Sequence, residues 1–217
     1  MDFNAVVLAC SKKYNNYCVA CYDLNKKKLI RLISDDDSIK NALTDSDIQT
    51  KNNGPIKIGD VIRVLNSKSH GKYEHPEDVI IDRDKRFEKI KGVKYNWDDF
   101  LTAYDYVFFD THRKIQHDEI KEKKNIHSLE FIQVTEPSIL YSEEYDNIKI
   151  CFKYRGREYD NISLTDIEFK NKLVNYCSTK GINVVKCRRK YYFLISLGEI
   201  FERDNCHYKL ISGVVRI

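Results

Sequence analysis

The run Lys186-Cys187-Arg188-Arg189-Lys190-Tyr191-Tyr192 sets four cations beside two adjacent aromatic rings. Proteins that hold single-stranded nucleic acid pair basic loops with stacking platforms of this kind. The same run also reads as a solvated turn whose tyrosines enter the core on the next strand. Ser11-Lys12-Lys13 offers a hydroxyl and two ammonium groups to a phosphate, and Arg31 could add a two-pronged guanidinium grip. The competing reading is a polar turn next to an ordinary strand cation. His75-Pro76-Glu77-Asp78 gathers an imidazole and two carboxylates in one turn. It could bind a metal, act as an acid–base pair or read a base edge, although a metal site normally takes three or more ligands and this turn offers at most two. Equally, Pro76 could fix a rigid turn in which a carboxylate holds backbone N–H groups.

Other chemistry-bearing residues carry less. Cys18 and Cys21 have zinc-like spacing, but strand positions three apart face opposite ways, so buried free thiols are expected. His112, His117 and His127 lie in a strongly charged stretch, where scattered surface histidines are the default. Glu199 at a strand end could act as an acid or base, with no partner evident in the sequence. The chain has no phosphate-cradling glycine loop, nucleophile elbow or metalloprotease motif. No catalytic residue, metal ligand or cofactor is therefore assigned.

The elements that must position these residues are mostly strands. Residues 5–10 and 16–22 are apolar runs of strand length, and 28–34 follows after a turn at Asp23-Leu24-Asn25-Lys26. Residues 35–53 are polar and read as a short helix or irregular loop. Gly59-Asp60 makes a tight entry to a strand ending near Leu65, and residues 79–81 form another. Trp97, Phe100, Leu101 and Tyr104 have helical spacing behind an Asn96 cap. Strand-like runs return at 129–134, 148–154, 182–187, 191–197 and 208–215. Between them, Thr165 and Glu168 read as a capping box. Phe169, Leu173, Tyr176 and Cys177 supply a core stripe, and Gly181 stops the helix. The expected fold is mainly β with inserted helices: two five-stranded barrels. The first would occupy 1–110, a polar linker 111–127, and the second 128–217.

Composition agrees with this class. Fifteen tyrosines and ten phenylalanines in 217 residues favour strands. The net charge of +4 is too small for a global field, so any nucleic-acid contact should come from local patches. No apolar stretch approaches the roughly 18 residues of a membrane span. Met1-Asp2-Phe3 leads straight into a strand-like run, without a leader pattern. Seven cysteines, an odd count, then suit free thiols in a reducing cytoplasm.

The chain also resembles a bacterial family, the dual OB-containing domain proteins. The likeness begins with Val7-Leu8-Ala9, Ser11-Lys12-Lys13, Cys18-Val19-Ala20, Ile30-Arg31 and Ser34. It continues through Gly59-Asp60 and His75-Pro76-Glu77-Asp78. It then covers Tyr154-Arg155-Gly156, Tyr159, Leu164-Thr165-Asp166, Ser196-Leu197-Gly198-Glu199 and Tyr208-Lys209-Leu210-Ile211. Two positions depart from the pattern: Leu29-Ile30-Arg31-Leu32 replaces Trp-Ile-Arg-Pro, and Cys21 stands where glycine is usual. The resemblance implies two OB-like barrels and a role in recognising nucleic acid or nucleotides. The leading expectation is a binding module contacting ligand through Ser11, Lys12, Lys13, Arg31, His75, Glu77, Arg188, Arg189, Lys190, Tyr191 and Tyr192. One alternative is an enzyme acting on nucleotides or nucleic acid through His75, Glu77 and Glu199. Another is a protein-interaction subunit.

Overall fold

Two units divide the chain in the computed structural model, Met1–Phe100 and Leu101–Ile217. The structure describes every residue except 52, 53, 72, 73, 124, 125, 146 and 217. The ends of two expected stretches, Asn52 and Asn53 of the 35–53 loop and Lys124 and Asn125 of the linker, thus lie outside the described residues.

The first unit holds β1 (Phe3–Lys13), β2 (Asn16–Asp23), β3 (Lys28–Ile33), β4 (Val61–Val64), β5 (Lys68–Ser69), β6 (Asp78–Ile80) and β7 (Glu88–Lys89). They form one curled half-barrel sheet in the order β5-β6-β3-β2-β1-β4-β7. Alternation along the strands sends Ala5, Val7, Val19, Cys21, Ile30, Leu32, Ile62 and Val64 into one core. Asp23 makes the β2–β3 turn by accepting from the backbone N–H of Asn25 and Lys26, at 2.8 and 3.0 Å. Gly59 enters β4 at φ +90°, with the Tyr95 hydroxyl donating to its carbonyl at 2.7 Å. β3 pairs in parallel with β6. β4 pairs with β1, whereas β5, four residues on, pairs with β6. These two short strands act as one fourth strand that changes neighbour across Asn66 and Ser67.

The second unit holds β8 (Lys114–Gln116), α1 (His117–Lys121), β9 (Leu129–Ser142), β10 (Asn147–Tyr154), β11 (Arg157–Leu164), α2 (Ile167–Lys180), β12 (Val184–Lys186), β13 (Lys190–Phe201) and β14 (Cys206–Arg216). Five of its strands close a ring, β9-β10-β11-β14-β13 and back to β9. β11 and β14 pair in parallel, as β3 and β6 do in the first unit. Asp166 ties the start of α2 to β14. Its carboxylate accepts from Phe169 N at 2.9 Å, capping α2, and from Val214 N at 2.8 Å. Gly181 ends the helix at φ 63°.

Four expectations change here. The cap of α2 is Asp166, not Thr165, whose hydroxyl donates to the Ile211 carbonyl, while Glu168 pairs with Lys172. Tyr176 is half exposed, so the buried stripe of α2 is Leu173 and Cys177 with Phe169 packed beside them. Residues 97–100 form only a 3₁₀ turn, with Phe100 buried against Tyr22, Tyr95 and Trp97. Leu101 and Tyr104 fall in the other unit, so the helical spacing spanned a unit boundary. Lastly, the 111–127 stretch carries β8 and α1, with Ile115, His117 and Ile120 buried. Its apolar residues are few but placed to pack.

Candidate nucleic-acid interface

In the first unit the expected phosphate-binding residues are drawn together but turned inward. Arg31 on β3 lies opposite Asp78 on β6, and its Nη1 donates to Asp78 Oδ1 at 3.0 Å. Arg31 is only 5% exposed, so its guanidinium staples the parallel strands rather than facing a ligand. Ser11 is buried, with Oγ 3.5 Å from the Cys18 carbonyl. Lys13 Nζ donates to the Lys40 carbonyl at 2.6 Å, leaving Lys12 as the exposed member. His75 and Glu77 are half-buried in the turn that delivers Asp78. The Asp78 N–H closes on the His75 carbonyl at 3.2 Å, and Arg31 N donates to the Glu77 carbonyl at 3.0 Å. These contacts favour the rigid-turn reading, and they do not form the expected open cup.

Cys18 faces outward and Cys21 inward, where burial pushes its thiol far up. No group of three or more potential metal ligands exists among the described residues. The enzyme reading required His75, Glu77 and Glu199 together. The first two belong to one unit and the third to the other.

In the second unit the cations of the expected run stand in the open. Lys186 ends β12, Lys190 begins β13, and Arg188 and Arg189 lie between. All four are exposed, and none forms an ion pair among the described residues. The connection is held by its backbone. Cys187 N donates to the Pro137 carbonyl at 3.0 Å, and Glu136 N to the Arg189 carbonyl at 3.3 Å. On β9, Thr135 has Lys153 opposite it on β10 and Lys190 opposite it on β13. Directly opposed residues share a face, so the ladder sets both ammonium groups on the side of Thr135. Lys153 itself is paired with Glu158 at 2.8 Å.

The tyrosines of this run do not provide the expected platform. Tyr191 is 6% exposed and Tyr192 3%. Tyr191 packs on Phe169 and Phe193, and Tyr192 stacks on Phe131. Burial and a hydrogen bond with Cys187 push the Tyr191 phenol up to about 12, so it stays neutral.

Exposed rings appear instead outside that run. Tyr104 and Tyr106 sit on the segment before β8. Arg157 lies over the Tyr106 ring at 4.0 Å and donates to the Asp105 carbonyl. His127 stacks on Tyr104 at 4.0 Å, and Tyr154 OH donates to the Tyr104 carbonyl at 2.9 Å. Arg155, in the β10–β11 turn, pairs with Asp105 at 2.9 Å. Cations and rings therefore alternate along this surface. The spacing of Tyr104 and Tyr106 gave no warning, because their partners come from residues 127–157.

A model of the dual OB-containing domain matches residues 4–214 of this chain. The chain belongs to that family. A solved structure, the tetrameric p202 HIN2, is similar to this dual OB chain over all of its length and 92% of the other, at 8% identity and a TM-score of 0.36. That likeness is too remote to bear on the ligand. A comparison with curated proteins finds no match. No helix among the described residues of this dual OB chain is long and apolar enough to cross a membrane.

Proposed function

We propose that this dual OB chain is a non-catalytic binding module for single-stranded nucleic acid or a nucleotide, with the contact on its second barrel. One observation carries this reading: Lys186, Arg188, Arg189 and Lys190 project from the β12–β13 connection without carboxylate partners among the described residues. Exposed unpaired cations repel one another and gain when they neutralise phosphates and release the counterions condensed on a strand. The exposed Tyr104 and Tyr106 rings add a surface on which bases can stack.

Anisotropy of a fluorescent 20-nucleotide strand tests the reading. Four phosphate contacts on a single strand predict a loss of roughly 50-fold in affinity between 50 and 200 mM salt. Arg188→Glu with Arg189→Glu should weaken binding at low salt by at least about tenfold. A strand that fails to bind at 50 mM salt, or binds the charge-reversed protein equally well, would end the proposal.

A further inference from the structure

The outer face of the second barrel brings two more cations together, away from the β12–β13 connection. Lys149 on β10, Ser163 on β11 and Leu210 on β14 form one cross-strand row. Lys149 Nζ donates to Ser163 Oγ at 2.5 Å. β13 occupies one edge of β14, so β8 and β11 must follow one another along the other. Arg113, just before β8, arrives at that junction and accepts from Lys209 N at 2.9 Å through its carbonyl. Arg113 thus stands one residue along β14 from the row that holds Lys149, and burial first, then the Arg113 charge, hold that ammonium below the usual lysine range.

The neighbouring cations are already balanced. Lys114 pairs with Asp204 at 2.9 Å and Lys209 with Asp110 at 2.7 Å. Arg113 and Lys149 have no ion pair among the described residues. Beside Arg113 opens a cleft of about 360 Å³, with Asp110, His112, Lys114, Gln116, Glu119 and Cys206 on its walls.

We infer that Arg113, Lys149 and Ser163 hold a phosphomonoester group, with the remainder of the ligand in the adjoining cleft. Two neighbouring like charges disfavour one another, and an anion between them reverses the sign of that interaction. A phosphomonoester carries about −1.5 to −2 near neutral pH, which matches two cations. A phosphodiester carries only one negative charge and leaves half of the pair unbalanced. The cleft lies at the small end of the range for ligand sites, roughly 300–1,000 Å³. It suits one nucleotide rather than a run of them. The phosphate claim is independent of the β12–β13 cations; only the nucleoside part rests on the function proposed above.

Calorimetric titration of the full chain with inorganic phosphate, 5′-AMP and adenosine tests it. Phosphate and 5′-AMP should bind and adenosine should not. Arg113→Gln should weaken 5′-AMP at least tenfold, and Lys149→Gln likewise. Arg113 is exposed, so its variant keeps the test valid if the half-buried Lys149 change unfolds the protein. A strand with a 5′-phosphate that binds tighter than its 5′-hydroxyl twin identifies a strand end as the source. Equal binding of the two identifies a free nucleotide. Loss of 5′-hydroxyl strand binding in Arg188→Glu with Arg189→Glu tests the function above, and loss of inorganic phosphate binding in Arg113→Gln tests this site, so the two proposals fail separately. Absence of phosphate and 5′-AMP binding at millimolar concentration, or binding undiminished in both glutamine variants, overturns the inference.

Discussion

Lys209 has a fully buried side chain whose ammonium is held by the Asp110 carboxylate and carbonyl, at 2.7 and 2.8 Å. Burial lowers its affinity for the proton, and Asp110 and then Glu130 oppose that effect. Breaking a buried pair from one side commonly costs about 3–5 kcal/mol. Lys209→Met should therefore lower the stability measured by urea unfolding by roughly 3 kcal/mol. A loss under about 1 kcal/mol would show that the pair contributes little. Arg31 teaches the same lesson about reading single residues. Alternation along β3 puts Leu29, Arg31 and Ile33 on one strand face, which fits Arg31 meeting Asp78 across the parallel β3–β6 pairing. It could not reveal that this outer face is covered. Tyr191 and Tyr192 show the limit again. Alternation should expose one of two neighbours, yet all of Tyr191–Leu197 is buried because both faces of β13 are covered. Tertiary cover, which no local pattern encodes, decided those positions.

At the scale of elements, α2 depends on one carboxylate. Asp166→Ala removes the cap, worth about 1 kcal/mol, and orphans the buried Val214 N–H, worth about 1–3 kcal/mol more. The pH dependence has a definite sign. Burial, against hydrogen bonds from Phe169 and Val214, pushes the Asp166 carboxyl up to about 6 from an ordinary 3.8. The folded chain therefore holds this proton more tightly than the unfolded one. The resulting stability is complete below about pH 4 and is lost as pH rises through 6. Melting temperatures from pH 3.5 to 7 should drift in favour of Asp166→Asn relative to the parent as pH rises. A constant gap would contradict the assignment. The helix itself was legible from its apolar spacing and its stop at Gly181. Its cap was misplaced by one residue because Thr165 and Asp166 are both good caps. Only the position of Val214 and Ile211 on β14 assigns each its partner.

Across the whole chain, the count of strands and the inserted helix foretold a mainly β protein, the resemblance implied OB-like barrels, and the structure bears this out. Which strands close a ring was not legible, since pairing joins residues far apart in sequence. The cysteines offer a measurable check on both cores. All seven are free; Cys21, Cys177 and Cys206 are buried, while the other four are half-buried. A thiol reagent should leave three thiols silent in the native protein and reach all seven in denaturant. Early reaction of Cys21 would refute the packing of the first core. One consequence follows from the change of neighbour across Asn66 and Ser67. A ladder parts first at its shortest rungs, and Lys68–Ser69 is a two-residue, exposed piece with a single partner strand. The first sheet thus has a built-in seam. Breathing motions should begin there, so the amides bridging β5 and β6 would trade deuterium soonest among the strands of both units.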